Sequence, residues 1–171
     1  MPVSVPFPDP TSARGDRREV LLDYLDYFRS VVRARAGSLF DDQLTASLVA
    51  SGWTPLELVK HLVNVERRWL VWRFAGLEVD DPWSDSRDGR WFVAPQESLE
   101  GLLAALTAGG ERTRAIVMEH VLTDVGAPGE RWDGADPASL ERVLLHVTQE
   151  FARHAGHLDI VCELLGGPTG E

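Results

Sequence analysis

Four segments of the chain repeat apolar residues at the spacing of an α-helix, and no other feature restricts its fold as strongly. The first segment follows Asp16, a predicted N-cap, with Glu19 three residues later in a capping-box arrangement. Gly37 is its predicted stop. The apolar residues between these points fall at i, i+3, i+4 and i+7 positions: Val20, Leu21, Tyr24, Leu25, Phe28, Val31 and Val32.

The second predicted helix starts at Thr54, which can cap it, with Pro55 at the first helical position and Glu57 completing a capping box. We expect it to run to about Gly76. Its residues are apolar on more than one face up to Trp72, and this pattern indicates a central, well-buried helix.

The third and fourth helices are predicted from the same kinds of signal. The third spans 96–122, with Gly109-Gly110 expected to kink or weaken it. The fourth begins at Asp136-Pro137, a cap-and-proline start, and stops at Gly166-Gly167-Pro168. Because strand signals are absent, four long helices joined by loops predict an all-α four-helix bundle.

The segment 77–95 has no period and is predicted to be a long loop. It is long enough to cross over the bundle instead of forming a simple hairpin between two helices. Its aromatic residues Trp83, Trp91 and Phe92 have two interpretations. They either line a pocket or lid, or they cover the end of the bundle.

Composition and charge exclude several classes of protein. The 171 residues fit one domain, expected at 16–171, preceded by a proline-rich stretch at 1–15 that is an extended arm or a disordered tail. A net charge of −10 and the lack of long apolar stretches argue against nucleic-acid partners, a membrane helix and a secretory signal. The single cysteine, Cys162, excludes an internal disulfide, is expected in the core, and favours a cytoplasmic location.

The fourth helix carries a stripe of residues that can bind a metal. His146, Glu150 and His154 are spaced by four, and His157 follows by three, so that all four project from one side of a helix. Glu150 and His154 are the closest candidate pair. His61, in the middle of the apolar second helix, is the best third ligand because a lone histidine there would be hard to hydrate.

Two imidazoles and one carboxylate suit Zn²⁺ or Ni²⁺ and leave coordination positions open for water or substrate. An open site of this kind is typical of catalytic metals. The spacing alone also fits histidines that pack in a core or join surface networks, and Glu150 pairing with His154 or Arg153 on the helix face.

The segments GWTPLELVKHLVNVERRWL and LLHVTQEFARHAGHLDIVCELLGG resemble the DinB/YfiT-like superfamily. More closely, they look like its actinobacterial branch, the mini-circle or DinB-family proteins, and the likeness covers nearly the whole chain after about residue 15. The resemblance implies a four-helix bundle of up-down-down-up topology. It also implies a metal held by a histidine on the second helix and an H-x-x-x-H pair late in the bundle.

His61 matches the family's helix-two ligand and His154 matches the second residue of the pair, whereas Glu150 replaces the first. This E-x-x-x-H variant is similar to mycothiol-dependent maleylpyruvate isomerase, whose zinc is held by two histidines and one glutamate. His157 is interpreted as a residue that supports a ligand or lines the pocket.

The resemblance implies a metal-dependent transferase or isomerase that uses a low-molecular-weight thiol such as mycothiol, with Arg68 and Arg153 as candidates to hold its anionic groups. A metal-dependent hydrolase is a second hypothesis, with Glu66 and Asp159 considered as its base. A non-enzymatic metal-binding or stress-response protein is a third. The resemblance also allows a homodimer, because bundles of this family often pair.

Overall fold

The structure, a computed structural model, describes residues 6–11, 13 and 15–167. Parts of the expected arm (1–5, 12 and 14), and Pro168 of the predicted stop signal, lie outside these residues. The described elements, in chain order, are α1 (Arg17–Gly37), α2 (Asp41–Leu44), α3 (Pro55–Glu66) with a π-helical extension (Arg67–Phe74), β1 (Ser86–Arg87), β2 (Arg90–Trp91), α4 (Leu99–Glu119), a 3₁₀ turn (Glu130–Trp132) and α5 (Leu140–Leu164).

Helices α1 and α5 run in the same direction. Near the start of both helices Arg17 bonds to Glu141, and near the end of both the Nε atom of Arg35 lies 2.6 Å from Oδ1 of Asp159. The described part of the N-terminal arm contacts the same helix α1, where the ring of Phe7 meets that of Tyr27 edge-on at 4.9 Å.

Helices α3 and α4 run in the opposite direction to α1 and α5. Helix α4 is antiparallel to α1, because Arg33 bonds to Thr107 at one end and Arg114 bonds to Glu19 at the other. Helix α3 is antiparallel to α5, because His61 faces Glu150 and the later residue Trp69 packs on the earlier residue His146. The predicted four-helix bundle and its up-down-down-up order are therefore confirmed, and the segment 77–95 is the crossover.

The second predicted helix is central, as its apolar pattern indicates. Thr54 and Glu57 form the predicted capping box at its start, and most of its residues are buried. The sequence did not predict that its second half is π-helical, with the Ala75 N–H donating to the carbonyl of Leu70 at 2.9 Å. Within the described residues, no helix is both long and apolar enough to cross a membrane.

One expectation about a helix start is wrong. Helix α5 begins at Leu140, after the cap Ser139, and not at Asp136-Pro137. Ser139 instead forms an isolated bridge with Val125, flanked by backbone hydrogen bonds from Gly126 to Ala138 and from Leu140 to Asp124. Helix α4 passes through Gly109 and Gly110 as one uninterrupted α-helix, where these glycines lie against Glu66 and Arg29 of neighbouring helices, and their weakening of the helix stays a prediction.

Smaller differences concern local bonds and short elements. Asp16 caps α1 as predicted, but Glu19 pairs with Arg114 instead of completing a capping box. The stop after α5 is confirmed at Gly166, which adopts a positive φ of 73°. The two-residue strands of the hairpin at 86–91 and the short helix α2 carry no sequence signal that distinguishes them from loop.

Candidate metal centre

The structure brings His61, Glu150 and His154 together in the middle of the bundle. His61 comes from α3, and Glu150 and His154 come from successive turns of α5. One ligand-type atom of each lies within 4.8 Å of the other two. Oε2 of Glu150 is 3.4 Å from Nε2 of His154 and 3.8 Å from Nε2 of His61. The sequence therefore selected three residues that the fold does place side by side.

The ring of His61 is held from its other nitrogen. Its Nδ1 atom lies 2.8 Å from Oδ2 of Asp85, a buried residue just before β1. Burial alone would raise the pKa of Asp85, but hydrogen bonds from His61 and Arg68 outweigh it and lower that pKa. Asp85 is therefore a carboxylate that accepts hydrogen bonds, and the Nε2 atom of His61 is the one left to face Glu150.

His154 is held in a similar way. Its Nδ1 atom lies 3.2 Å from Nδ1 of His157, so that one ring donates to the other. Burial lowers the pKa of His154 to about 4, and the proximity of His61 adds to this effect. The imidazole is consequently neutral near pH 7, which is the form that binds a metal. His157 touches a candidate ligand, in line with its interpretation from the sequence.

These distances fit a small divalent ion. Zinc binds nitrogen and oxygen ligands at about 2.0–2.2 Å, and two such ligands in a tetrahedral site are about 3.4 Å apart. The two Glu150 distances, 3.4 and 3.8 Å, are close to that separation, and the ligand atoms of His61 and His154 lie within 4.8 Å of each other. Three protein ligands also match the number found in open catalytic zinc sites. The donor set and spacing of His61, Glu150 and His154 are therefore suited to such an ion.

Aromatic rings surround the three residues. The Trp91 ring stacks on His61 with centroids 4.4 Å apart and meets His154 edge-on at 5.3 Å. On one side Trp69 packs against His146 at 4.4 Å, and on the other Trp53 lies 5.9 Å from His157. The side chain of Glu150 remains 23% exposed, so the group is walled by rings but not sealed from solvent.

The sequence did not identify the loop residues that contact the site. Trp91 was one of three aromatics with two interpretations, and the structure places it on the site. Trp83 instead covers Arg68, and Phe92 lies 5.1 Å from the ammonium of Lys60. Asp85 gave no usable signal, because the loop contains several aspartates and has no period that would single one out.

Three charged residues considered from the sequence are engaged elsewhere. Arg68 is buried behind His61 in a bond to Asp85, so it does not present its guanidinium to an anionic ligand. Glu66 is paired with Arg29 inside the bundle, and Asp159 is paired with Arg35. Neither carboxylate contacts the three candidate ligands, and the hydrolase hypothesis therefore gains no base from them.

A match to a protein family covers most of the chain. Residues 20–167 match the model of the mycothiol-S-transferase family. The chain therefore belongs to this DinB-like family, and the resemblance to the DinB superfamily is confirmed. Among curated proteins, no sequence matches the chain.

A solved structure supports the same fold. The chain is similar to YfiT from Bacillus subtilis, described as a probable metal-dependent hydrolase with an unusual four-helix bundle topology. The TM-score is 0.63 and the identity 18%, and the alignment covers 95% of each chain. This likeness concerns the fold. The family match and the shared fold therefore agree with each other.

Proposed function

We propose that this chain is a metal-dependent transferase that joins a low-molecular-weight thiol of the mycothiol type to an electrophilic substrate. The observation that carries the proposal is the convergence of His61, Glu150 and His154, with both imidazole Nε2 atoms directed at one carboxylate oxygen. The family match supports the thiol as one reactant. An isomerase that uses the thiol as a cofactor would need the same site and the same first chemical step.

His61, Glu150 and His154 would hold the ion, with zinc favoured and nickel the alternative. A divalent ion there supplies a positive charge that lowers the pKa of a thiol and keeps it as the nucleophilic thiolate. Glu150 contributes one negative charge, so the site retains a net positive charge for an anionic sulfur. In the proposed reaction the thiol would lose its proton to solvent water and its sulfur would form a bond to an electrophilic carbon, while the bond from that carbon to a leaving group would break and its electron pair would depart with the leaving group.

The chain's own side chains define where the reactants can lie. Trp91 covers one face of His61, and Trp69 with His146 forms a wall beside Glu150. Such rings limit the water around a bound thiolate and favour an apolar or aromatic electrophile. Arg153 is exposed one residue before His154, and we propose that it contacts an anionic group of the thiol.

The test has two stages with separate readouts. The first is the metal content of the purified protein, compared with His61→Ala and Glu150→Ala and with His120→Ala, a control histidine at the C-cap of α4. The expected result is bound metal in the wild type and the control and its loss in the two site variants. Metal retained in both site variants would contradict the site.

The second stage measures consumption of mycothiol by the metal-loaded protein with a broad panel of electrophiles. We expect at least one thiol adduct, identified by mass, whose formation is lost in Glu150→Ala. Protein that neither binds nor consumes mycothiol would contradict the transferase and favour a non-enzymatic role. A cytoplasmic location and a homodimer remain parts of this proposal, and sedimentation of the purified protein tests the latter.

A further inference from the structure

The crossover loop contacts His61 from two directions. Asp85, just before β1, bonds to its Nδ1 atom at 2.8 Å, and Trp91, in β2, stacks on its face with an interplanar angle of 19°. The two residues are held together by the hairpin, in which the Phe92 N–H donates to the Asp85 carbonyl at 2.9 Å. The hairpin therefore contacts the His61 imidazole both at its edge, through Asp85, and on its face, through Trp91.

Asp85 is itself fixed by Arg68. An Nη1 atom of Arg68 lies 2.8 Å from Oδ1 of Asp85, and it also donates to the carbonyl of Pro82 at 2.8 Å. The guanidinium lies 4.1 Å from the ring centroid of Trp83, which shields it from solvent. The side chains of Asp85 and Arg68 are only 3% and 5% exposed, so both oxygens of the carboxylate have defined, buried partners.

We infer that Asp85 is a positioning residue for the metal site, which holds the Nδ1–H of His61 so that Nε2 carries the lone pair for the metal. The inference rests on the proposed function in taking His61 as a ligand. An ionised carboxylate only accepts hydrogen bonds, so Nδ1 must donate, and in the neutral ring Nε2 is then the bare nitrogen. Carboxylates placed in this way fix the orientation of ligand histidines and strengthen their metal binding.

Asp85→Asn gives a sharp test because it keeps the shape and changes only one oxygen to an amino group. Because Arg68 carries only hydrogen-bond donors, it must bond to the remaining oxygen of the Asp85→Asn side chain. The amino group then faces Nδ1 of His61, and only a bare Nδ1 can accept from it. The proton consequently moves to Nε2, which is the wrong tautomer for binding metal through that atom.

The experiment combines ring-nitrogen NMR of the metal-free protein with zinc affinity measured by competition against a chelator. In the wild type, we expect His61 to carry its proton on Nδ1. In Asp85→Asn, we expect the same ring to carry its proton on Nε2. We expect zinc binding by Asp85→Asn to weaken by about 10–100-fold. Asp88→Asn is the matched control, since Asp88 is exposed at the turn of the same hairpin and asparagine tolerates its φ of 52°.

The outcomes separate this inference from the proposed function. A wild-type His61 protonated on Nε2, or an Asp85→Asn protein that binds zinc as tightly as Asp88→Asn, would overturn the positioning role. Failure of the wild type to bind zinc would refute the metal site, while its tautomer would still decide whether Asp85 orients the ring. If Asp85→Asn does not fold, the wild-type tautomer alone remains a decisive measurement.

Discussion

Gly110 of α4 lies directly against the guanidinium of Arg29 on α1. A methyl group at Gly110 would be 2.8 Å from Cζ of Arg29, which is closer than van der Waals contact permits. Arg29 cannot move away freely, because it pairs with the buried carboxylate of Glu66 at 2.5 Å and packs over the ring of Phe151. The glycine is therefore needed where a helix would otherwise favour alanine.

We predict that Gly110→Ala lowers the free energy of unfolding by about 1–2 kcal/mol, because displacement of the buried pair outweighs the helix propensity gained. Gly156→Ala is the matched control, since a methyl group there meets nothing within 4 Å. The control should raise the stability by about 0.5–1 kcal/mol. Urea denaturation followed by circular dichroism measures both values, and equal gains in the two variants would contradict the steric argument.

The buried Arg29–Glu66 pair gives a second prediction. Arg29→Met should destabilise the fold by about 3–5 kcal/mol, because it leaves the Glu66 carboxylate buried with only the Thr113 hydroxyl, 2.6 Å away, among its described hydrogen-bond donors. Arg114→Met removes a more exposed cation of the same helix bundle and should cost less than about 1 kcal/mol. Chemical denaturation compares the two variants; similar losses would show that burial of the pair does not matter.

Glu150, the proposed carboxylate ligand, can be exchanged for the histidine that the resemblance to the superfamily implies at this position. We predict that Glu150→His keeps one metal per chain, since a third imidazole also binds zinc, whereas Glu150→Ala loses it. The measurement is metal content after dialysis against a weak chelator. Loss of metal from both variants would contradict the prediction and would mean that a histidine at position 150 cannot replace the carboxylate in this site.

Cys162 should be unreactive in the folded protein. The side chain is fully buried at the contact between α5 and the end of α1, and burial raises the pKa of its thiol. Because the thiolate is the reactive form, a raised pKa leaves less of it at any pH below that value. We predict alkylation by iodoacetamide at pH 8 to be slower by on the order of a hundredfold than in guanidinium-unfolded protein. Equal rates would show that the site opens readily.

The sequence predicted the helices well because capping and apolar spacing are local signals. The Thr54 capping box and the Gly166 stop were read directly from neighbouring residues. The start of α5 was misplaced because Asp136-Pro137 resembles a helix start by itself. The bridge between Ser139 and the distant residue Val125 lies inside the stretch that was predicted to be helical.

The candidate site was predictable in part for a related reason. Glu150 and His154 share a helix face, so their spacing brought them together, and the resemblance supported His61 as the third member. Asp85 and Trp91 reach His61 from a loop whose path is fixed by tertiary contacts. No periodicity in the sequence predicts the path of this loop. The contacts of Asp85 and Trp91 with His61 could therefore be identified only from the structure.

The π-helical extension of α3 has a consequence for divergence among relatives. A π-helical turn holds one residue more than an α-helical turn, so loss of a single residue within Arg67–Phe74 would return the stretch towards α-helix while the residues after it keep their orientation. His61 lies before the stretch and would keep its place, whereas side chains within the stretch, such as Trp69, would be shifted. One-residue insertions and deletions here thus offer evolution a means of altering the wall near the site while conserving the proposed ligands, and sequence alignments should allow a gap inside this helix.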